Sequence, residues 1–218
     1  MSGIQIGTLT LHPLGAAIAL GVLSSYYLAR FIGLRRELPR GVISFLHLSA
    51  LLGAVIGARM PSAAEGRFFE PPGQWTLSPS FGLLGAFALI EFARFRLQGQ
   101  EHHPSRGESY DLIVIAAAPL LVFLSIACLY LGYASELIIT LPPLIALIAL
   151  LIRSQSAAPG QLSALAFALL GLGAFIRLAL PAAPARALDL PEPALLGLVA
   201  LTIALVIAKE LRAKAEPI

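Results

Sequence analysis

Seven long apolar stretches alternate along the chain with short polar segments, at 13–32, 41–60, 80–97, 110–131, 136–152, 161–180 and 192–208. Each is close to the roughly 20 residues that a helix rising about 1.5 Å per residue needs to cross the hydrocarbon of a bilayer. Leu, Ala and Ile dominate them, and they do not break into the alternating segments of about ten residues that mark a membrane β-barrel. The pattern predicts an all-α membrane protein, a bundle of about seven transmembrane helices forming one polytopic domain over residues 1–218. The fifth stretch contains Pro142 and Pro143. Each removes a backbone donor and crowds the preceding turn, so a kink is expected there.

Charge sets the expected orientation. Of 15 Lys and Arg residues, eleven fall on one side of the predicted spans: Arg30, Arg35, Arg36, Arg40, Arg94, Arg96, Arg106, Arg153, Lys209, Arg212 and Lys214. Only Arg67 and Arg186 fall on the other, and Arg59 and Arg177 lie inside spans. Basic loops stay in the cytoplasm, so the amino end is expected outside and the carboxyl end inside. The chain is 58% hydrophobic and 12% charged, with a mean hydropathy of +0.85, too apolar for a soluble domain of this size. A pI near 9.4 fits attraction to an anionic inner leaflet, and the basic residues lack the clustering of a nucleic-acid surface. Residues 1–11 lack the basic start of a cleavable signal peptide. Cys128, the one cysteine, reads as a buried packing thiol. His12, His47, His102 and His103 have no metal-ligand spacing, so neither metal nor cofactor is expected.

Ionisable residues inside spans are costly and point to function. Arg59 and Arg177 each lie within about a turn of the outer end of a span. Alone, each could snorkel, its stem in lipid and its head in water. Two arginines at one depth, both preceded by glycines, point instead to a phosphate-binding pair, because a planar guanidinium can hold two phosphate oxygens at once. Gly53 and Gly57 form a small-residue face that would let a neighbouring helix approach and aim Arg59 into the bundle. Gly171 and Gly173 stand in the same relation to Arg177. His12, Glu65, Arg67 and Glu136 complete an expected outer layer, with the 65–70 loop solvated. Deeper, Glu91 is expected to pair with His47 or with Arg94 one turn away, and Asp111 to cap a helix.

Several segments resemble the prolipoprotein diacylglyceryl transferase family. Ile6-Gly7, then Leu11-His12-Pro13-Leu14-Gly15, opens the chain as in that family. Gly53-Ala54-Val55-Ile56-Gly57-Ala58-Arg59 is similar to its Gly-x-x-x-Gly-x-Arg. Ser80-Phe81 with Gly82 and Gly85, Asp111 with Ala118-Pro119, and Phe175-Ile176-Arg177 follow in the same order. The resemblance implies a multi-pass protein of the bacterial plasma (inner) membrane that moves a diacylglyceryl group from phosphatidylglycerol to the cysteine thiol of a lipobox-containing precursor. It implies that Arg59 and Arg177 hold the phosphate, that Glu136 orients one of them, and that His12 serves as base. The partners would be phosphatidylglycerol or another anionic phospholipid, and the precursor protein.

The sequence also departs from the family. The histidine that follows Ser-Phe is replaced by Gly82. In the stretch Ala127-Cys128-Leu129-Tyr130-Leu131-Gly132-Tyr133-Ala134-Ser135-Glu136, an arginine is replaced by Cys128, and two asparagines by Leu131 and Ala134. Two alternatives therefore stand beside the transferase: a catalytically inactive relative that binds phospholipid or serves as a structural subunit of a membrane complex, and a small transporter.

Overall fold

The computed structural model describes residues 4–6, 9–11, 13–66, 78–99, 103–130, 159–178, 186–187 and 190–215. The described helices are α1 (Pro13–Arg35), α2 (Arg40–Ala64), α3 (Pro79–Leu97), α4 (Arg106–Ala116), α5 (Ala118–Tyr130), α6 (Gln161–Leu178) and α7 (Glu192–Ala215). Two short antiparallel hairpins accompany them. In the first, β1 (Ile4–Ile6) pairs with β2 (Leu9–Leu11), with Ile4 opposite Leu11. In the second, β3 (Arg186–Ala187) pairs with β4 (Leu190–Pro191).

Helices α4 and α5 run end to end. Ala117 donates to the carbonyl of Ile113 at 2.9 Å and Leu121 donates to that of Ala117 at 3.0 Å, so the helical ladder continues through the junction. Pro119 supplies no donor there, which accounts for the local break. Counted that way, five helices are long and apolar enough to cross a membrane: Gly15–Arg35, Arg40–Ala64, Arg106–Ala127, Gln161–Leu178 and Glu192–Lys209. Helix α3 has 19 residues but carries Glu91, Arg94 and Arg96 toward its end. Six of the seven predicted stretches thus fall on described helices. The fifth, 136–152, lies outside the described residues.

Helices α1, α2, α3 and α4 alternate in direction and share two ends. One is basic: Arg35 and Arg36 leave α1, Arg40 opens α2, Arg94 and Arg96 close α3, and Arg106 opens α4. The hairpins adjoin the opposite end, where α1 begins and α6 stops. Against α1, the backbone of Leu120 meets Gly21, while Leu28 and Ile32 pack on the cluster that holds Val114 and Ile115, so α5 finishes at the hairpin end. Gly107, near the start of α4, abuts the backbone of Pro159 and Gly160, so α6 begins at the basic end. The last described residue of α5 and the first of α6 therefore lie at opposite ends of the bundle.

The helices α2 and α3 meet backbone to backbone. A Cβ on Gly53 would collide with the carbonyl of Gly85, and one on Gly57 with the carbonyl of Phe81. The small-residue face read from the sequence therefore packs against α3, and its partner surface is itself glycine. Larger apolar groups form the core on the basic side of this contact, with Ile43, Leu46, Ala93 and Leu112 fully buried. Leu20, Leu23, Tyr27 and Phe31 form an exposed stripe on α1; Leu48, Leu52, Val55, Ile56 and Met60 form another on α2. Apolar stripes of this extent suit a helix surrounded by lipid.

Two helix starts are capped by acids. Ser105 and Glu108 make a reciprocal capping box at α4: the Ser105 N–H donates to Glu108 Oε2 at 2.8 Å, and the Glu108 N–H to Ser105 Oγ at 3.3 Å. Asp111 is a cap, as expected, but for a different helix. Its carboxylate accepts from the N–H of Gly160 at 2.8 Å and of Ser163 at 2.9 Å, satisfying the first turn of α6. Gly160 holds a φ of +98°, which suits glycine at this junction.

Replacing Gly85 by Val should force α2 and α3 apart and destabilise the protein by at least about 1–3 kcal/mol, the usual cost of overpacking. A Cβ on Gly41 meets nothing within 4 Å, so Gly41→Ala should be neutral. Thermal unfolding of both variants in one detergent tests the contact; equal melting temperatures would contradict it.

Candidate functional site

The hairpin end gathers the polar groups of four helices. Ser78 caps α3: its N–H donates to the carbonyl of Ala58 at 3.0 Å, which ties the start of α3 to the residue before Arg59. Pro79 occupies the first helical position and has no N–H to satisfy. The N–H of Ser80 donates to Glu192 Oε1 at 2.8 Å, and that of Phe81 to Ser78 Oγ at 3.4 Å. The first turn of α3 is thus satisfied partly by its own cap and partly by a carboxylate from the start of α7.

Glu192 is 7% exposed and receives two hydroxyl donors besides the Ser80 N–H. The hydroxyls of Ser78, at 2.8 Å, and of Ser80 both donate to Oε1. Three donors on one oxygen fix the carboxylate against α3. The other oxygen, Oε2, is buried and has no hydrogen-bond partner.

Helix α6 brings Arg177 to the same end. Gly171 lies against Leu201 and the carbonyl of Gly197, and the ring of Phe175 covers Gly197. This antiparallel pairing sets Arg177 level with the first turn of α7, where Glu192 stands. Arg59 is 3% exposed and Arg177 is 4% exposed. Their neighbours Met60, Phe175 and Ile176 are exposed, so the apolar residues take the lipid face and the arginines turn into the bundle. Snorkelling along a lipid-facing flank does not describe either side chain.

Of the other residues expected in this layer, Glu65 is exposed just past the end of α2. His12, Arg67 and Glu136 lie outside the described residues. Cys128 falls within α5. Glu192, Ser78 and Ser80 were not foreseen as site residues. An acid opening an apolar span was the available signal, but its serine partners are 112 and 114 residues away in sequence.

At the basic end, Glu91 does not pair with His47. It accepts from Arg94 Nη1 at 2.9 and 3.1 Å, from Arg106 Nε at 2.8 Å and Nη2 at 3.0 Å, and from the Tyr110 hydroxyl at 2.7 Å. The Arg106 contact is a two-pronged, charge-assisted pair, and Tyr110 is held from its other side by stacking on Phe87 at 5.3 Å. His47 instead lies 5.7 Å from the Tyr26 ring, and neither of its nitrogens makes a hydrogen bond. The cause is helical phase. At about 100° per residue, position 47 lies about 80–120° round α2 from the Gly53 and Gly57 face that meets α3. This cluster joins α3 to α4 and leaves the Glu91 carboxylate fully engaged, so its role is structural.

Among the described residues, no group of three or more His, Cys, Asp or Glu could hold a metal ion. In comparisons with known proteins, the chain matches no family model, no curated protein and no solved structure.

A double-mutant cycle on Glu91→Gln and Arg106→Gln should return a coupling of about 0.5–3 kcal/mol in unfolding free energy, as for contacting charged residues. The cycle on Glu91→Gln and His47→Ala should return a value near zero. Coupling to His47 as large as that to Arg106 would contradict the observed pairing.

Proposed function

We propose that this chain binds the phosphate of an anionic phospholipid, phosphatidylglycerol, at its hairpin end, through Arg59 and Arg177. The observation that carries this reading is the burial of two guanidinium groups at one end of the bundle. Ionisable side chains held at membrane depth mark functional sites, and fixed positive charge there suits an anionic headgroup. Arginine is the side chain best suited to such an anion, because it keeps its charge when desolvated and its fork matches phosphate oxygens.

The orientation belongs to the same proposal. The basic end faces the cytoplasm and the hairpin end faces out, with a seventh crossing between α5 and α6. The positions of Tyr130 and Gln161 at opposite ends of the bundle support that crossing, and the distribution of Lys and Arg supports the orientation. The binding site then lies within reach of the outer-leaflet headgroups of a bacterial inner membrane.

The reaction we propose is transfer of the diacylglyceryl group to a lipobox cysteine, as the sequence resemblance implies. The thiol sulfur attacks the glyceryl carbon, and the bond from that carbon to the phosphate oxygen breaks. Glycerol phosphate leaves with the bonding electrons, and the thiol proton passes to a base, for which the resemblance offers His12. Two fixed guanidiniums would stabilise the departing phosphate in a site from which water is excluded. The second reading, phospholipid binding without transfer, is favoured by the replacement of family motif residues by Gly82, Cys128, Leu131 and Ala134.

Purified protein incubated with phosphatidylglycerol and a lipobox peptide decides between them. Transfer predicts a mass gain on the peptide cysteine that falls by at least about 100-fold in Arg177→Ala, the scale seen when a preorganised charge-stabilising group is removed. No gain, with lipid binding intact, supports the second reading. No binding of phosphatidylglycerol at all would overturn both.

A further inference from the structure

Capping α3 uses only one oxygen of Glu192. Oε1 takes the Ser80 N–H and both serine hydroxyls, while Oε2 is buried without a hydrogen bond on a residue only 7% exposed. A buried acceptor left unmatched is unfavourable, and the three donors on Oε1 prevent the carboxylate from turning to share them. The unmatched oxygen stands in the layer that contains Arg59 and Arg177. The arrangement suits a ligand that carries both a phosphate and a hydrogen-bond donor a few bonds away.

Resting on the phosphate site proposed above, we propose that Glu192 reads the headgroup: Oε2 accepts a hydrogen bond from a hydroxyl of the phosphatidylglycerol headgroup. The arginines bind any phosphodiester, and Glu192 selects those bearing a donor. The carboxylate attracts O–H and repels a second anionic group, so it also disfavours lipids with extra negative charge near the phosphate. Ser78 and Ser80 act as positioning residues by holding the carboxylate in its orientation.

The test compares short-chain phosphatidylglycerol, phosphatidylethanolamine and phosphatidylmethanol binding to the whole protein in detergent. Phosphatidylmethanol keeps the phosphodiester charge and lacks a headgroup donor. The native protein should bind phosphatidylglycerol roughly 10–100-fold more tightly than phosphatidylmethanol, the range a hydrogen bond to a charged acceptor supplies. In Glu192→Gln, the amide oxygen keeps the serine donors and the N–H₂ replaces the free acceptor. The ratio of phosphatidylglycerol to phosphatidylmethanol affinity should then fall to about one. An unchanged ratio in Glu192→Gln would overturn the inference. So would a preference for phosphatidylethanolamine, which would assign the donor to an ammonium. A melting temperature close to that of the native protein shows that the Gln variant folds; if it does not, Glu192→Asp, which withdraws the carboxylate by one methylene, gives the same readout. The double variant Arg59→Gln/Arg177→Gln should weaken all three lipids alike. If it weakens none, the phosphate site fails, and the headgroup ratio separately judges Glu192.

Discussion

The fold turns on a contact in which two backbones touch with no side chain between them. Gly53 and Gly57 of α2 lie against Phe81 and Gly85 of α3 so closely that a single methyl at these positions would strike a carbonyl. Within a bilayer, apolar side chains gain little by leaving lipid for protein. Close van der Waals packing along small residues is therefore what draws helices together. Here it also fixes the relative height of α2 and α3. That height brings the Ser78 N–H to the carbonyl of Ala58 and sets the start of α3 beside Arg59.

The same economy governs the polar groups. A helix start leaves backbone donors unmatched, and in hydrocarbon no water satisfies them. This chain meets the problem twice with an acid from another helix. Asp111 of α4 accepts from the first turn of α6, and Glu192 of α7 accepts from the first turn of α3. Each contact locks two distant segments together, one at either end of the bundle. The two differ in how their oxygens are used. Asp111 uses both oxygens on backbone donors, whereas Glu192 uses one on the start of α3 and leaves the other without a hydrogen bond.

Much of this was legible in the sequence. Six long apolar runs bounded by charge fall on the seven described helices, one run spanning α4 and α5, because crossing hydrocarbon imposes both length and composition. The glycine spacing on α2 correctly announced a close neighbour and an inward Arg59, because small-residue packing is a local property of one helix face. The short hairpins were not legible; strands of two and three residues carry almost no pattern. Partner choice was the other blind spot. Arg94 was a foreseeable partner for Glu91, one turn away on the same helix, but Arg106 and Tyr110 reach it only because the chain doubles back between α3 and α4. The pairing assigned to His47 failed because the glycine face, not the histidine, determines which side of α2 meets α3. Glu192 lay hidden because its serines belong to a helix more than a hundred residues earlier, and no local spacing announces such a contact.

The central claim is that one end of the bundle is a built receptor for a lipid phosphate. It is tested most directly by an experimentally determined density map of the protein in nanodiscs containing phosphatidylglycerol. The account predicts headgroup density inside the bundle, its phosphate within hydrogen-bond distance of both Arg59 and Arg177 and its glycerol turned toward Glu192. Lipid density confined to the outer rim of the helices, with the two guanidinium groups directed away from each other, would contradict it.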